Sequence, residues 1–243
     1  MRPLLRDLGR HLLAFYRALN RLYVESLRGA QPAWVAAYLD QGKPESLLTY
    51  SRMKRFRDFV PAVIRPDIIP TDEGLVITEL DSVPGGIGLT GAMAQAYAQL
   101  DLPASSSTLH ASRLTPHADL VGGPDGMVQG FAKMARAQLA GRSGCLAIVV
   151  SDEAKDYRPE MTWLAARLRG LGLEAHCLHP RNLRFTEEAL FAEVDGRQVP
   201  VGLLYRFFEL FDLPNIPKAE LILYAAKKES VSVTPPFKPA LEE

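Results

Sequence analysis

Two apolar stretches between Val60 and Asp81 carry Arg65, Asp67, Glu79 and Asp81 among β-branched residues, and Pro84-Gly85-Gly86-Ile87-Gly88 follows at once. Val60–Ile69 and Leu75–Leu80 read as strands, with turn chemistry in Pro70-Thr71-Asp72-Glu73-Gly74 between them. A hairpin that pairs Ile69 with Leu75 sets Arg65 opposite Glu79, Asp67 opposite Ile77 and Val63 opposite Asp81. Side chains alternate along a strand, so Arg65, Asp67, Glu79 and Asp81 then share one face. A slip of one residue would divide them. Carboxylates this close repel one another unless a cation joins them, and an all-oxygen donor set suits Mg²⁺ or Mn²⁺ rather than zinc. The plain alternative is a solvated hairpin face with one weak Arg–Glu surface pair.

Gly85, Gly86 and Gly88 let backbone N–H groups approach a ligand, and a helix starting near Leu89 offers its positive end to an anion. A metal face beside an anion loop points to a phosphate-bearing ligand.

Arg65-Pro66-Asp67, a turn, Glu79-Leu80-Asp81 and a small-residue loop together resemble the circularly permuted ATP-grasp ligases of the glutathionylspermidine synthetase and glutathione synthetase kind. The likeness is nearest to the uncharacterised bacterial branch. The resemblance implies ATP and Mg²⁺ as cofactors, with Asp67, Glu79 and Asp81 as metal ligands and Arg65 meeting phosphate or an acyl phosphate. It departs in two places. Asp81 stands where the family usually has Asn, and Pro84-Gly85-Gly86 replaces a Ser-containing loop.

The elements that must position these residues read as follows. Residues 4–29 are helical, with Leu5, Leu8, Leu12, Phe15, Leu19 and Leu22 as the apolar stripe. Trp34–Leu39 is a second short helix. Ser46–Phe59 is a strand or a helix turn carrying Arg52, Lys54, Arg55 and Arg57, one of which would face phosphate. Leu89–Leu100 and Met127–Leu139 are helices, and 103–126 between them is loop-like, with His110 and His117 weak as metal candidates. Cys145–Val150 is a buried strand, Glu160–Leu171 a helix and Leu173–Leu178 a strand, which makes a right-handed βαβ unit with a parallel sheet. Phe185–Val194 reads as a helix, Val201–Tyr205 as a third strand, Glu220–Lys228 as a helix and Ser230–Thr234 as a short strand.

In such sheets ligands gather at the carboxyl ends of strands. That singles out Ser151, Asp152, Glu153 and Arg158, then Tyr205 and Arg206. An arginine leaving an apolar strand must find an acceptor, either a ligand or an ion pair with Glu209 or Asp212. A strand ending Tyr-Arg is similar to the substrate domain of the permuted ATP-grasp proteins, and on that likeness Arg206 joins Arg65 as a catalytic residue.

The 243 residues are 47% hydrophobic and 23% charged, with formal net charge zero. This is ordinary globular composition, without the basic excess of a nucleic-acid or anionic-membrane binder. No apolar run approaches a spanning helix, and the N-terminus lacks a signal-peptide pattern. Cys145 and Cys177, the two cysteines, read as buried thiols of a reducing compartment, hence a cytoplasmic protein. No G-x-x-x-x-G-K-[ST] loop, G-x-S-x-G elbow, HExxH or paired CxxC occurs.

The expectation is therefore an α/β protein: an ATP-grasp-like antiparallel part over 1–115, a Rossmann-like parallel substrate domain over 116–228, and a return toward the ATP-grasp domain from 229 to 243. The resemblance implies the N-terminal part of an ATP-dependent ligase that joins a small-molecule carboxylate, or a peptide, to an amine through an acyl phosphate. The nucleotide-clamping lysines and adenine pocket would come from beyond residue 243, so residues 1–243 alone would turn over negligible ATP. The rival is a non-catalytic α/β binding protein that uses the same crevice for an anionic ligand or a partner.

Overall fold

The computed structural model describes residues 2–99, 121–186 and 189–242. His110 and His117 lie outside the described residues. The chain opens with α1 (Arg2–Leu27), α2 (Ala33–Asp40) and α3 (Glu45–Ser51), then β1 (Arg65–Thr71), β2 (Gly74–Asp81) and α4 (Ile87–Gln99). Further on come α5 (Gly126–Leu139), β3 (Cys145–Val150), α6 (Arg158–Gly170) and β4 (Ala175–Leu178). The last elements are β5 (Leu183–Phe185), β6 (Leu190–Val194), β7 (Arg197–Phe207), α7 (Ala219–Lys227) and β8 (Ser232–Thr234).

A mixed sheet of six strands runs β4-β3-β7-β6-β5, with β8 beside β7. β3 is parallel to β4 and to β7, and β8 is parallel to β7. The β1–β2 hairpin forms a separate antiparallel sheet. The fold is thus α/β, with the parallel strands and the hairpin apart, as the change from turn-linked to helix-linked strands implies.

Continuous apolarity in β3 has a direct cause in the layers on either side. Cys145, Ala147 and Val149 face one core with α7 residues Ile222, Ala225 and Ala226. Leu146, Ile148 and Val150 face a second core with Phe131 and Ala135 of α5 and Met161, Leu164 and Leu168 of α6. A strand buried on both faces cannot alternate apolar with polar.

The expected boundary near residue 115 does not divide these cores. Leu47, Tyr50 and Phe56 pack in the same core as β3 and β7, and Val83 and Ile87 pack in the other. Nor does the chain leave the sheet at 229: Val233 pairs with Leu204, and Phe237 is wholly buried in the first core.

Phe185 and Leu190–Val194 are strand where the sequence suggests helix. Asp195 and Gly196 both adopt positive φ, 50° and 73°, between Val194 and Arg197, which pair. Two left-handed residues make a tight turn whose twist matches a hairpin, and Asp-Gly is a favoured pair for it. α1 also differs. Its buried face runs through Leu12, Tyr16, Asn20, Tyr23 and Ser26, while Leu5 and Phe15 are exposed. Polar partners explain the rotation: the Asn20 amide oxygen accepts from the buried Lys238 ammonium, and the Ser26 hydroxyl donates to the Pro32 carbonyl at 2.7 Å.

Candidate functional site

The hairpin register differs from the expected one twice, and the two differences add to a shift of two residues. Near the tip Ile69 pairs with Val76 rather than Leu75. A bulge between Asp67 and Ile68 then leaves Thr78 extra, so that Arg65 pairs with Asp81 and Asp67 with Glu79. A single slip would have divided the charged residues, whereas a slip of two restores the shared face. Arg65 donates from Nε to Asp67 Oδ1 at 3.0 Å, and its Nη2 lies 3.3 Å from Asp81 Oδ2.

Only part of this face suits a metal. Asp81 is occupied: Oδ1 accepts the Val83 N–H at 2.7 Å while Oδ2 meets Arg65. Among the described residues no three His, Cys, Asp or Glu side chains are grouped to hold one metal ion. The three-ligand expectation gives way to a two-carboxylate platform, Asp67 and the exposed Glu79, set opposite each other across the hairpin. Mg²⁺ is ordinarily held in this manner, by one or two carboxylates with phosphate oxygens and waters completing the octahedron. The donor chemistry of this pair fits Mg²⁺ brought by a polyphosphate.

The glycine loop binds an anion, but an internal one. Gly86 N–H donates to Glu160 Oε1 at 2.7 Å and Leu89 N–H to Oε2 at 2.9 Å. Glu160 sits in the first turn of α6, so one carboxylate serves the positive ends of two helices. Gly85 and Gly88 serve close packing. A Cβ on Gly85 would lie 2.3 Å from the Tyr157 ring, and one on Gly88 2.2 Å from the Glu160 carbonyl oxygen. The phosphate cradle expected here is corrected on that ground: the Gly86 and Leu89 N–H groups are engaged by Glu160, and the space beside Gly85 and Gly88 is filled.

Arg206 is likewise not open to a ligand. It is 0% exposed, and Glu242 holds its guanidinium with both carboxylate oxygens. The rings of Phe208 and Phe237 flank it at 5.5 and 5.6 Å. The catalytic role expected of Arg206 is replaced by a structural one, with Glu242 as partner in place of Glu209 or Asp212. Two of the basic residues before the hairpin are also engaged. Arg52 pairs with Asp40, and Arg55 donates to the Lys227 carbonyl at 2.6 Å and to Glu229 at 3.1 Å.

What remains open is a crevice of about 280 Å³ between the hairpin and the carboxyl ends of β3 and β7. Arg65, Asp81 and Gly85 form one wall; Ser151, Glu153 and Tyr157 follow β3; Phe207 ends β7, and Phe208, Glu209 and Asp212 follow it. This is the position where parallel sheets collect ligands. Ser151 is wholly buried and its hydroxyl oxygen has no partner among the described residues. Asp152 points elsewhere, 3.2 Å from His179 and 3.6 Å from Arg158. Tyr205 is buried against Phe131 beneath the crevice. A smaller cavity of about 190 Å³ lies between Phe56 and Phe237; of its charged residues, Arg55, Arg142 and Glu229 bind one another or backbone, and Lys238 donates to Asn20 and to backbone.

Sequence reasoning named Glu209 only as a partner for Arg206. Because Glu242 takes that arginine, Glu209 is left facing the crevice. Burial first, then Glu242, push its carboxyl up to about 8, with Arg206 opposing and Asp81 adding. The signal that could have found it is the odd pair of carboxylates, Glu209 and Asp212, directly after a strand that ends in an open crevice. No protein-family model matches this chain, and no curated protein matches it either.

Proposed function

We propose that the chain carries the hairpin and substrate crevice of a cytoplasmic, ATP-dependent carboxylate–amine ligase, taking a small-molecule acid or peptide and an amine. The observation that carries the reading is the pairing of Asp67 with Glu79 on the face that also bears Arg65, at the rim of a crevice at the strand ends. A divalent cation on such a face would stand next to a substrate in the crevice.

Magnesium, when bound, would offset charge on the transferring phosphoryl group. Asp67 and Glu79 would hold it. The Arg65 guanidinium, oriented by Asp67 and Asp81, would meet the oxygens of an acyl phosphate entering the crevice. The Ser151 hydroxyl would donate to the substrate, which ends its lack of a partner. The rings of Tyr157 and Phe207 would keep water from the reacting carbonyl. No covalent enzyme intermediate is required, consistent with the lack of a nucleophile motif.

Glu160 in the glycine loop and Glu242 on Arg206 favour one other reading, a binding protein that uses the crevice without turnover. ADP release by the full natural chain separates the two. The ligase reading expects release that needs Mg²⁺, an acid and an amine together. Ligand binding in the crevice with no ADP release under any pairing of acid and amine would leave the binding protein.

A further inference from the structure

Away from Arg65, the charged side chains that line the crevice are all acidic. Asp81, Glu153, Glu209 and Asp212 line it, against Arg65 as its lining cation among the described residues. That cation is already engaged by Asp67 and Asp81. Aromatic rings complete the walls, and such rings attract a cation through their faces. The wholly buried Ser151 hydroxyl, unpartnered and lining the same space, is an independent sign that something polar is received there.

Glu209 is the member of this set with an internal tie. Glu242 behind it is 3% exposed, holds Arg206 with both oxygens, and accepts the Leu210 N–H at 2.6 Å. Burial and the nearby Glu242 carboxylate both raise the Glu209 carboxyl, which favours its neutral form in the empty crevice. Arg206 from β7 and Glu242 from the C-terminal segment thus face Glu209 from within, Asp81 faces it from β2, and Glu153, Asp212 and Arg65 stand round the crevice.

We propose that the crevice binds an organic ammonium ion, and that Glu209, which lines it, sets its affinity by giving up a proton as the ligand enters. The proposal rests on the ligase reading only for taking this ligand as the amine substrate. The exchange is balanced: the Glu209 carboxyl becomes a carboxylate, an ion pair with the ammonium forms, and one proton leaves to solvent. A neutral Glu209 supplies no charge to the cation, and an ionised one without a cation is repelled by Glu242 and Asp81.

Calorimetric titration of the chain with butylamine tests this, with butanol and butyrate as the neutral and anionic controls. Butylammonium keeps its charge across pH 6 to 8, as lysine does. With the Glu209 carboxyl pushed up to about 8, affinity is expected to rise by up to about tenfold per pH unit over that range. At pH 7, buffers of different ionisation enthalpy should report close to one proton released for each amine bound. Glu209→Gln should abolish both the pH dependence and the proton release. If that variant does not fold, the proton count in the unaltered chain decides alone. Butyrate binding more tightly than butylamine, no butylamine binding at pH 8, or binding that is level from pH 6 to 8 without proton release would each overturn the proposal. Amine binding in a full chain that releases no ADP would remove the ligase reading and leave this inference standing. ADP release without amine binding here would do the reverse.

Discussion

The Glu160 carboxylate accepts the Gly86 N–H at 2.7 Å, and through that bond the first turn of α6 caps the first turn of α4. With Leu89 N–H at 2.9 Å on the other oxygen, two donors that a helix start leaves without partners are both satisfied by one side chain. Glu160→Ala removes both acceptors and should cost about 1–3 kcal/mol in urea unfolding. Glu160→Gln keeps one oxygen and should cost less.

The same junction sets a contrast between two glycines. Gly88→Ala would place a methyl 2.2 Å from the Glu160 carbonyl oxygen, a backbone atom that cannot move aside. A loss of roughly 1–3 kcal/mol is expected, as for other overpacked sites. Gly130 lies within α5 with no atom within 4 Å of an added Cβ, so Gly130→Ala should stabilise by up to about 1 kcal/mol. Equal effects at the two positions would remove the close-packing account of the glycine loop.

Arg206→Met should be among the most damaging single changes in the chain. It leaves Glu242, 3% exposed, with the Leu210 N–H but without its guanidinium. Removing one partner of a buried ion pair costs about 3–5 kcal/mol, because the remaining charge stays buried. A midpoint close to that of the unaltered protein in guanidinium unfolding would show that Arg206 is not held as described.

Glu209 gives stability a pH dependence of definite sign. Its folded carboxyl is raised to about 8 from an ordinary 4.5, so the folded state holds a proton that the unfolded chain has released. The contribution is full below the ordinary value and is lost as pH rises toward 8. Glu209 is partly exposed, so solvent screening reduces the effect to on the order of 1 kcal/mol, or about 2–4 °C in Tm. Thermal melts at pH 5 and pH 8 should differ by less in Glu209→Gln than in the unaltered chain.

How much of this was legible depends on whether a feature is local. β3 matches its sequence bounds, because six apolar residues buried on both faces need no partner to be recognised. The four charged hairpin residues were legible as a set, though the bulge at Asp67 was not, since nothing in either strand alone marks the extra Thr78. Glycines at 85, 86 and 88 read equally well as a phosphate loop and as a close crossing. The deciding residue, Glu160, lies 74 positions beyond Gly86. Arg206 was rightly singled out as an arginine in need of an acceptor, but its partner stands 36 residues on. A turn at Gly196 was legible, but not that Asp195-Gly196 joins two strands, because the residues before it also fit helical spacing.

The most direct test of the ligase account is the magnesium dependence of ADP release by the full natural chain carrying Glu79→Gln or Asp81→Asn. Glu79 stands opposite Asp67 and makes no ion pair or hydrogen bond of its own among the described residues, whereas Asp81 serves Arg65 and the Val83 N–H. Glu79→Gln should lower the rate on the order of a hundredfold or more and raise the magnesium concentration required. Asp81→Asn should be much milder, because an amide oxygen can still accept from Val83. Rates and magnesium dependence unchanged by Glu79→Gln would contradict the account and leave the carboxylates as a solvated hairpin face.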